Sequence, residues 1–276
     1  MSEFTSWRSY YKFATLVTKE YRYIQTAEAK HFLDTLLQTS IDKHMCLDEG
    51  TILYRSQRGY DEVERYGEDG ITPITMDSLP YLPDRMIPNA ERSQNGRANP
   101  SGIPYLYLSN DLETAIAESR PWIKEKISVA EFKVVRSLNI IDFSMIERSS
   151  HFYFKEPKDA KVREKEVWAS VNSAFSEPVS IEDQNIDYIP TQIISELFRS
   201  EGFDGIKYKS MLTSGSNYAL FNFRDAIPTN GAVFEITGIM HQFAQYGNTV
   251  YYPPDGTNNR IYNIIDKFMP LKDKEA

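Results

Sequence analysis

The chain is poor in the residues that build metal and redox sites. Cys46 is the only cysteine among 276 residues, so no internal disulfide and no CxxC or Cys/His zinc motif can form. A lone thiol points to a reducing, cytoplasmic compartment. The four histidines, His31, His44, His151 and His241, show no ligand spacing and read as structural or solvated. No two glycines are separated by a single residue, which removes the dinucleotide fingerprint of doubly wound folds. Phosphate-loop, HExxH and nucleophile-elbow motifs are absent as well. No apolar run approaches the ~20 residues of a membrane span. The opening MSEFTSWRSYYKF lacks the apolar core of a signal peptide. The formal net charge of −8 argues against a general binder of nucleic-acid backbones, which needs a basic face. It leaves room for a small anion held by a few placed arginines.

What is there is ordinary for a globular protein: 41% hydrophobic and 25% charged residues, enough chain for a sizeable core. The most informative stretch is NGRANPSGIPYLYLSNDLETAIAESRP, residues 95–121. Its turn formers predict an ordered loop over Asn95–Pro104, then a buried strand over Tyr105–Ser109. Asn110 is the expected helix cap, with Glu113 closing a capping box and Pro121 ending the helix. This frame carries Arg97 and Asn99 on the loop, Tyr107 on the strand and Glu118 on the helix. Upstream, Thr51–Arg55 reads as a strand, with Arg55 at its end presenting a planar fork suited to phosphate. Taken singly, these groups also suit a surface ion pair, a core tyrosine and a solvated glutamate.

Periodicity predicts helices within residues 7–24, near Glu28–Ile41 with Thr26 as cap, around Trp168 at Glu164–Ala174, and over Pro190–Glu201, with Gly202 at its C-terminal cap. Residues 7–24 also interleave aromatic and basic side chains, a pattern that single-stranded nucleic acid can use. Strands are expected at Ile127–Val135, Leu138–Asp142, Gly205–Lys209, Tyr218–Phe223 and Val233–Ile239. Residues 60–94 read as a long excursion and 143–189 as polar chain of unclear form. Ser210 and Asn217 bracket a loop between two strands. A short amphipathic run is expected at Ile261–Phe268. Residues 1–46 read as a helical appendage, and 229–276 as a strand and tail packed on the main domain. An enzyme built from Arg, Tyr, Glu, Ser and Asn suits cleavage through an oxocarbenium-like transition state.

Three segments in order, LYRSQRG, GRANPSGIPYLYLSNDLETAIAESR and PTQIISELFRSEGFDGIKYKS…GSNYALFNF, resemble the RES domain, named for its Arg, Glu and Ser. The resemblance covers roughly residues 48–225, and places the domain at 47–228. The loop reads Gly96-Arg97-Ala98-Asn99, with alanine where the family commonly has tryptophan. The helical N-terminus and the insert at 60–94 make the chain longer than the compact toxins of this family. The resemblance implies an α+β fold, a split, mostly antiparallel β-core with flanking helices as in ADP-ribosyltransferases. It implies NAD+ as substrate, cut at the nicotinamide–ribose bond by a glycohydrolase or phosphorylase that acts as a growth-arresting toxin. By motif, Arg55, Glu118 and Ser210 match the family's arginine, glutamate and serine and are the expected catalytic residues, while Arg97, Asn99, Tyr107 and Asn217 are the expected substrate-binding residues. No cofactor or metal is implied. The implied partners are NAD+ and an antitoxin protein or oligomeric partner, with no nucleic acid and no membrane. Two other readings share the site: ADP-ribosyl transfer to a macromolecule, and a non-catalytic NAD-binding module.

Overall fold

The computed structural model describes residues 3–68, 71–89, 91, 93–145, 153–177 and 184–240, together with 250–251 and 261–262. The strands, in chain order, are β1 (His44–Leu47), β2 (Ile52–Arg58), β3 (Asp61–Tyr66), β4 (Pro73–Leu79), β5 (Leu106–Ser109), β6 (Lys126–Val134), β7 (Leu138–Asp142), β8 (Gly205–Lys209), β9 (Ser216–Leu220) and β10 (Ala226–Glu235). The helices are α1 (Ser9–Thr15), α2 (Ala27–Gln38), α3 (Pro83–Met86), α4 (Leu112–Glu118), α5 (Ala160–Ser176), α6 (Gln184–Asp187) and α7 (Ile189–Ser200). Residues 1–237 form one compact unit and 238–276 a second. In the second, Val250–Tyr251 pairs antiparallel with Ile261–Tyr262. The rest of the run expected at Ile261–Phe268 lies outside the described residues, as do His151 and His241.

Eight strands make one sheet in the order β1-β7-β8-β9-β5-β2-β6-β10. Every neighbouring pair is antiparallel except β7 with β8. Side chains alternate across a strand, so β7 and β9 each feed two cores. Ile141, Ile206 and Ala219 face a cluster built with Phe13, Phe32, Leu36, Trp168, Phe175 and Phe198 from α1, α2, α5 and α7. Their chain neighbours Ile140, Tyr218 and Leu220 face the opposite cluster, with Leu53, Phe132, Tyr81 and Met86. β6 lies inside the sheet, between β2 and β10, and fully burying a side chain such as its Phe132 is worth about 1.5–3 kcal/mol. The fold is therefore α+β, a mostly antiparallel sheet with flanking helices, as expected.

The sheet is split. β2 and β5 pair through the single couple Tyr54 and Ser109, whereas β2 runs seven pairs with β6 on its other side. Beyond that couple the two strands part, and Tyr54, Arg55 and Ser56 face Tyr107, Leu108 and Ser109 across an opening.

Several expectations shift in detail. Thr26 does cap α2, its hydroxyl accepting from the Ala29 amide at 3.2 Å. Gly202 does sit in the left-handed region, at φ 87°, just past α7. The cap of α4, however, is Asp111, whose carboxylate accepts from the Thr114 amide at 2.7 Å. Asn110 instead accepts from the Ser216 amide at 2.6 Å, tying the helix start to β9. The excursion at 60–94 contains the hairpin β3–β4, and β1 lies where only helix was expected. β9 and β10 both begin earlier than the apolar runs suggested.

Candidate active site

A pocket of about 400 Å³ opens where β2 and β5 part. Glu118 lines it from the last residue of α4. A carboxylate at a helix C-terminus faces the negative end of the helix dipole, an unfavourable place unless donors meet it. Two do, at one oxygen. Ser210 Oγ donates to Glu118 Oε1 at 2.8 Å, and Asn217 Nδ2 donates to the same atom at 2.6 Å. Each donor is itself held: the Leu212 amide donates to Ser210 Oγ at 3.1 Å, and Ser109 Oγ donates to Asn217 Oδ1 at 2.7 Å. Glu118 Oε2 accepts no hydrogen bond from the described residues. Ser210 is buried and does not line the pocket, reaching it only through Glu118.

The turn between β8 and β9 delivers Ser210 because it is fastened to the start of α4. Thr213 Oγ1 and Thr114 Oγ1 lie 2.7 Å apart, and Ser216 bonds Asn110 as described. A Cβ on Gly215 would collide with Thr114 Oγ1 and Asp111 Oδ2, so only glycine permits this approach.

The opposite wall is the loop at 95–104. Asn99 is buried and does not reach the pocket. Its Nδ2 lies within reach of the Ile103 carbonyl at 2.8 Å and the Gln94 and Pro100 carbonyls at 3.1 Å, while its Oδ1 accepts from the Tyr107 hydroxyl at 2.6 Å. The Ala98 amide donates to that same hydroxyl at 3.0 Å. Asn99 is thus a staple that fixes the loop on Tyr107, whose ring lines the pocket. Burial raises the Tyr107 phenol well above its ordinary pKa, so it acts as a neutral hydroxyl. Gly96 is confined: an added Cβ would sit 2.5 Å from both Asn99 Oδ1 and the Tyr107 hydroxyl.

The two expected arginines differ in what they touch. Arg97 Nη1 donates to the Phe175 carbonyl at 2.6 Å and the Ser176 carbonyl at 2.9 Å, closing the C-terminus of α5. Burial works against its charge, yet Tyr208, Tyr188 and Glu118 nearby hold its pKa above the ordinary value. Arg55 is half-buried on β2 and donates to the Tyr107 carbonyl at 3.4 Å. Its Nε is enclosed and has no partner among the described residues. Burial pulls the Arg55 pKa down to about 10, against a smaller upward pull from Tyr107. A guanidinium with an enclosed, unpaired donor has its desolvation cost uncompensated until an anion arrives.

Six of the seven expected residues thus gather here: Arg55, Arg97, Tyr107, Glu118 and Asn217 at the pocket, and Ser210 behind it. Sequence reasoning missed Tyr54, Tyr188, Tyr208 and Arg120, which also line the pocket. Tyr188 falls in the stretch 143–189 of unclear form and Tyr208 in the strand expected at Gly205–Lys209, and neither was singled out. Arg120 stands directly before Pro121, the proline expected to end the helix, and was not singled out for the site. Gln192 was missed too: it donates to Asn95 Oδ1 at 2.6 Å and the Gly96 carbonyl at 2.8 Å, holding the loop from α7. Among the described residues no cluster of His, Cys, Asp or Glu could hold a metal ion. No helix among them is long and apolar enough to cross a membrane.

A split-sheet pocket with a pinned glutamate and arginines on two walls defines a class that comparison with known proteins narrows. The RES domain profile matches residues 75–235, more than half of the chain, and the chain belongs to the RES domain family. Arg97, Glu118 and Ser210 fall inside that match, and Arg55 precedes it. No curated protein matches the chain. Among solved structures, the crystal structure of the M. tuberculosis MbcT-MbcA toxin-antitoxin complex is similar at 11% identity and a TM-score of 0.39, over 72% of this chain and 92% of that one.

Proposed function

We propose that this protein consumes NAD+ by breaking the bond between nicotinamide and ribose C1′. The leaving nicotinamide takes the bonding electron pair and departs neutral. An acceptor oxygen, from water or phosphate, then bonds to C1′ and gives up its proton, leaving ADP-ribose or its phosphate ester. The observation that carries this reading is Glu118, fixed through Oε1 by Ser210 and Asn217 and bare at Oε2, in a pocket that also holds Arg55 and four tyrosines. A carboxylate oriented in this way stabilises positive charge developing on the ribose and accepts from its hydroxyls. Arg55 and Arg97 face the phosphate side, and Tyr107 offers a face for the nicotinamide. Ser210 and Asn217 act on Glu118 as positioning residues, Asn217 also forming part of the rim. NAD+ is the substrate rather than a recycled cofactor.

Membership in the RES family supports a biological setting in which this activity arrests growth and a partner protein restrains it. Expression in a bacterium lacking that partner tests the reading. Growth arrest with a fall in cellular NAD+, relieved by Arg55→Ala, is the expected result. Arrest at unchanged NAD+ would replace it with ADP-ribosyl transfer to a macromolecule.

A further inference from the structure

Three guanidinium groups line the pocket, and two of them are already engaged. Arg97 spends one terminal nitrogen on the end of α5, and Arg55 donates to the Tyr107 carbonyl. The third, Arg120, is exposed, and its side chain makes no hydrogen bond or ion pair with the described residues. Its guanidinium N–H donors thus have no partner among the described residues.

The backbone at Arg120 is also unusual. Its φ is 47°, the left-handed region that β-carbon-bearing residues avoid. It also precedes Pro121, which pushes the preceding residue toward extended conformations. Glycine or asparagine would suit this turn better, so an arginine here sits against the local preference of the chain. The turn is nevertheless firmly held. The Arg120 amide donates to the Ala117 carbonyl at 3.0 Å. Beyond it, the Trp122 amide donates to Glu125 Oε2 at 2.8 Å, and Arg58 grips both oxygens of Glu125 at 2.6 and 3.0 Å. The Lys124 amide donates to the Ile236 carbonyl at 2.8 Å. A braced, strained turn thus places an unpaired cation two residues beyond Glu118.

We infer that Arg120 meets the diphosphate of a dinucleotide at the pocket mouth, an assignment that rests on reading the pocket as an NAD+ site. With the ribose at Glu118, the diphosphate is the next charged group outward. Planar guanidinium matches it in a way a lysine cannot. Against a global charge of −8, a placed cation at the mouth adds local attraction for an anion to that of Arg55 and Arg97.

The test is calorimetric titration at fixed salt on a Glu118→Gln background, which suppresses turnover. NAD+ is titrated into this parent and into Arg120→Ala, Arg120→Gly and Arg120→Lys. Arg65→Ala, on β3 away from the pocket, removes the same charge and serves as the control. Arg120→Ala and Arg120→Gly should bind NAD+ about ten- to a hundred-fold more weakly, the scale of one charged hydrogen bond. Arg120→Lys should recover part of the loss, and Arg65→Ala should match the parent. Arg120→Gly should melt above Arg120→Ala, because glycine relieves the left-handed turn; this separates lost binding from a damaged fold. Arg120→Ala binding within two-fold of a parent that does bind NAD+ overturns the assignment alone. Equal weakening by Arg65→Ala overturns it as well, by reducing the effect to a general field. A folded parent that does not bind NAD+ overturns the reading of the pocket, and this assignment with it.

Discussion

Ser210→Ala and Asn217→Ala, alone and together, probe how Glu118 is held. Both side chains donate to a single atom, Glu118 Oε1, at 2.8 and 2.6 Å. Each is a hydrogen bond to a carboxylate, worth about 1.5–3 kcal/mol. If that energy serves to fix the carboxylate against the transition state, each single loss lowers kcat by about ten- to a hundred-fold. Ser210 does not touch the pocket, so its removal should leave KM within about three-fold, the split expected for transition-state positioning. The double variant decides between two independent bonds and one shared clamp. Once either donor is gone Glu118 can swing, and losing the second costs less. The double loss should therefore fall short of the product of the single losses, by a coupling of roughly 0.5–3 kcal/mol. Steady-state NAD+ consumption with a thermal melt of each variant measures this. An unchanged kcat in a normally melting Ser210→Ala protein, or strictly multiplicative losses, would refute the clamp.

Glu118→Gln should keep NAD+ affinity near wild type while turnover falls by roughly 10²–10³, as for loss of one electrostatic stabiliser; turnover within a few-fold removes Glu118 from the mechanism. Arg55→Met should abolish tight NAD+ binding yet raise the Tm of the free protein by about 2–4 °C, the scale of ~1 kcal/mol in a domain of this size, because the enclosed Nε no longer lacks a partner. A lower Tm would mean that Arg55 stabilises the empty fold. Arg97→Ala should lower the Tm by leaving the Phe175 and Ser176 carbonyls short of a donor, at a cost of about 1–3 kcal/mol, with Arg97→Lys restoring part of it; an unchanged melt would deny its role at α5. Gly96→Ala should destabilise by about 1–3 kcal/mol as the new Cβ pushes Asn99 off Tyr107, a change visible in a denaturant titration.

The parts of this fold that sequence patterns reveal are those in which burial repeats with the period of the element. β6 carries Ala130, Phe132 and Val134 at alternate positions facing one core, and α7 carries Ile194 and Phe198 one turn apart, so both were legible. The β3–β4 hairpin was not, because Val63, Tyr66, Ile74 and Met76 are exposed and interleaved with charges, leaving no inward face to detect. The cap of α4 was missed by one residue because Asn110 and Asp111 are both good caps, and only the contact of Asn110 with β9 decides between them. At the candidate site, it is the resemblance that sets Arg55, Glu118 and Ser210 apart, since nothing local distinguishes a pinned glutamate from a solvated one. That Ser210 is a brace depends on Glu118, dozens of positions away, as the role of Gln192 depends on the distant loop at 95–104, whereas Asn99 is stapled to Tyr107 only eight positions on. Tyr188 and Tyr208 are buried like core aromatics yet border the cavity, a difference that only the splitting of β2 from β5 creates.

The most direct measurement of the central claim is incubation of the purified protein with NAD+, with and without phosphate, followed by mass spectrometry of the products. The account predicts free nicotinamide together with ADP-ribose, or its phosphate ester when phosphate is the acceptor, no mass added to the protein, and near-complete loss of both products in Glu118→Gln. Intact NAD+ after prolonged incubation with folded wild-type protein, or equal product from Glu118→Gln, would contradict it.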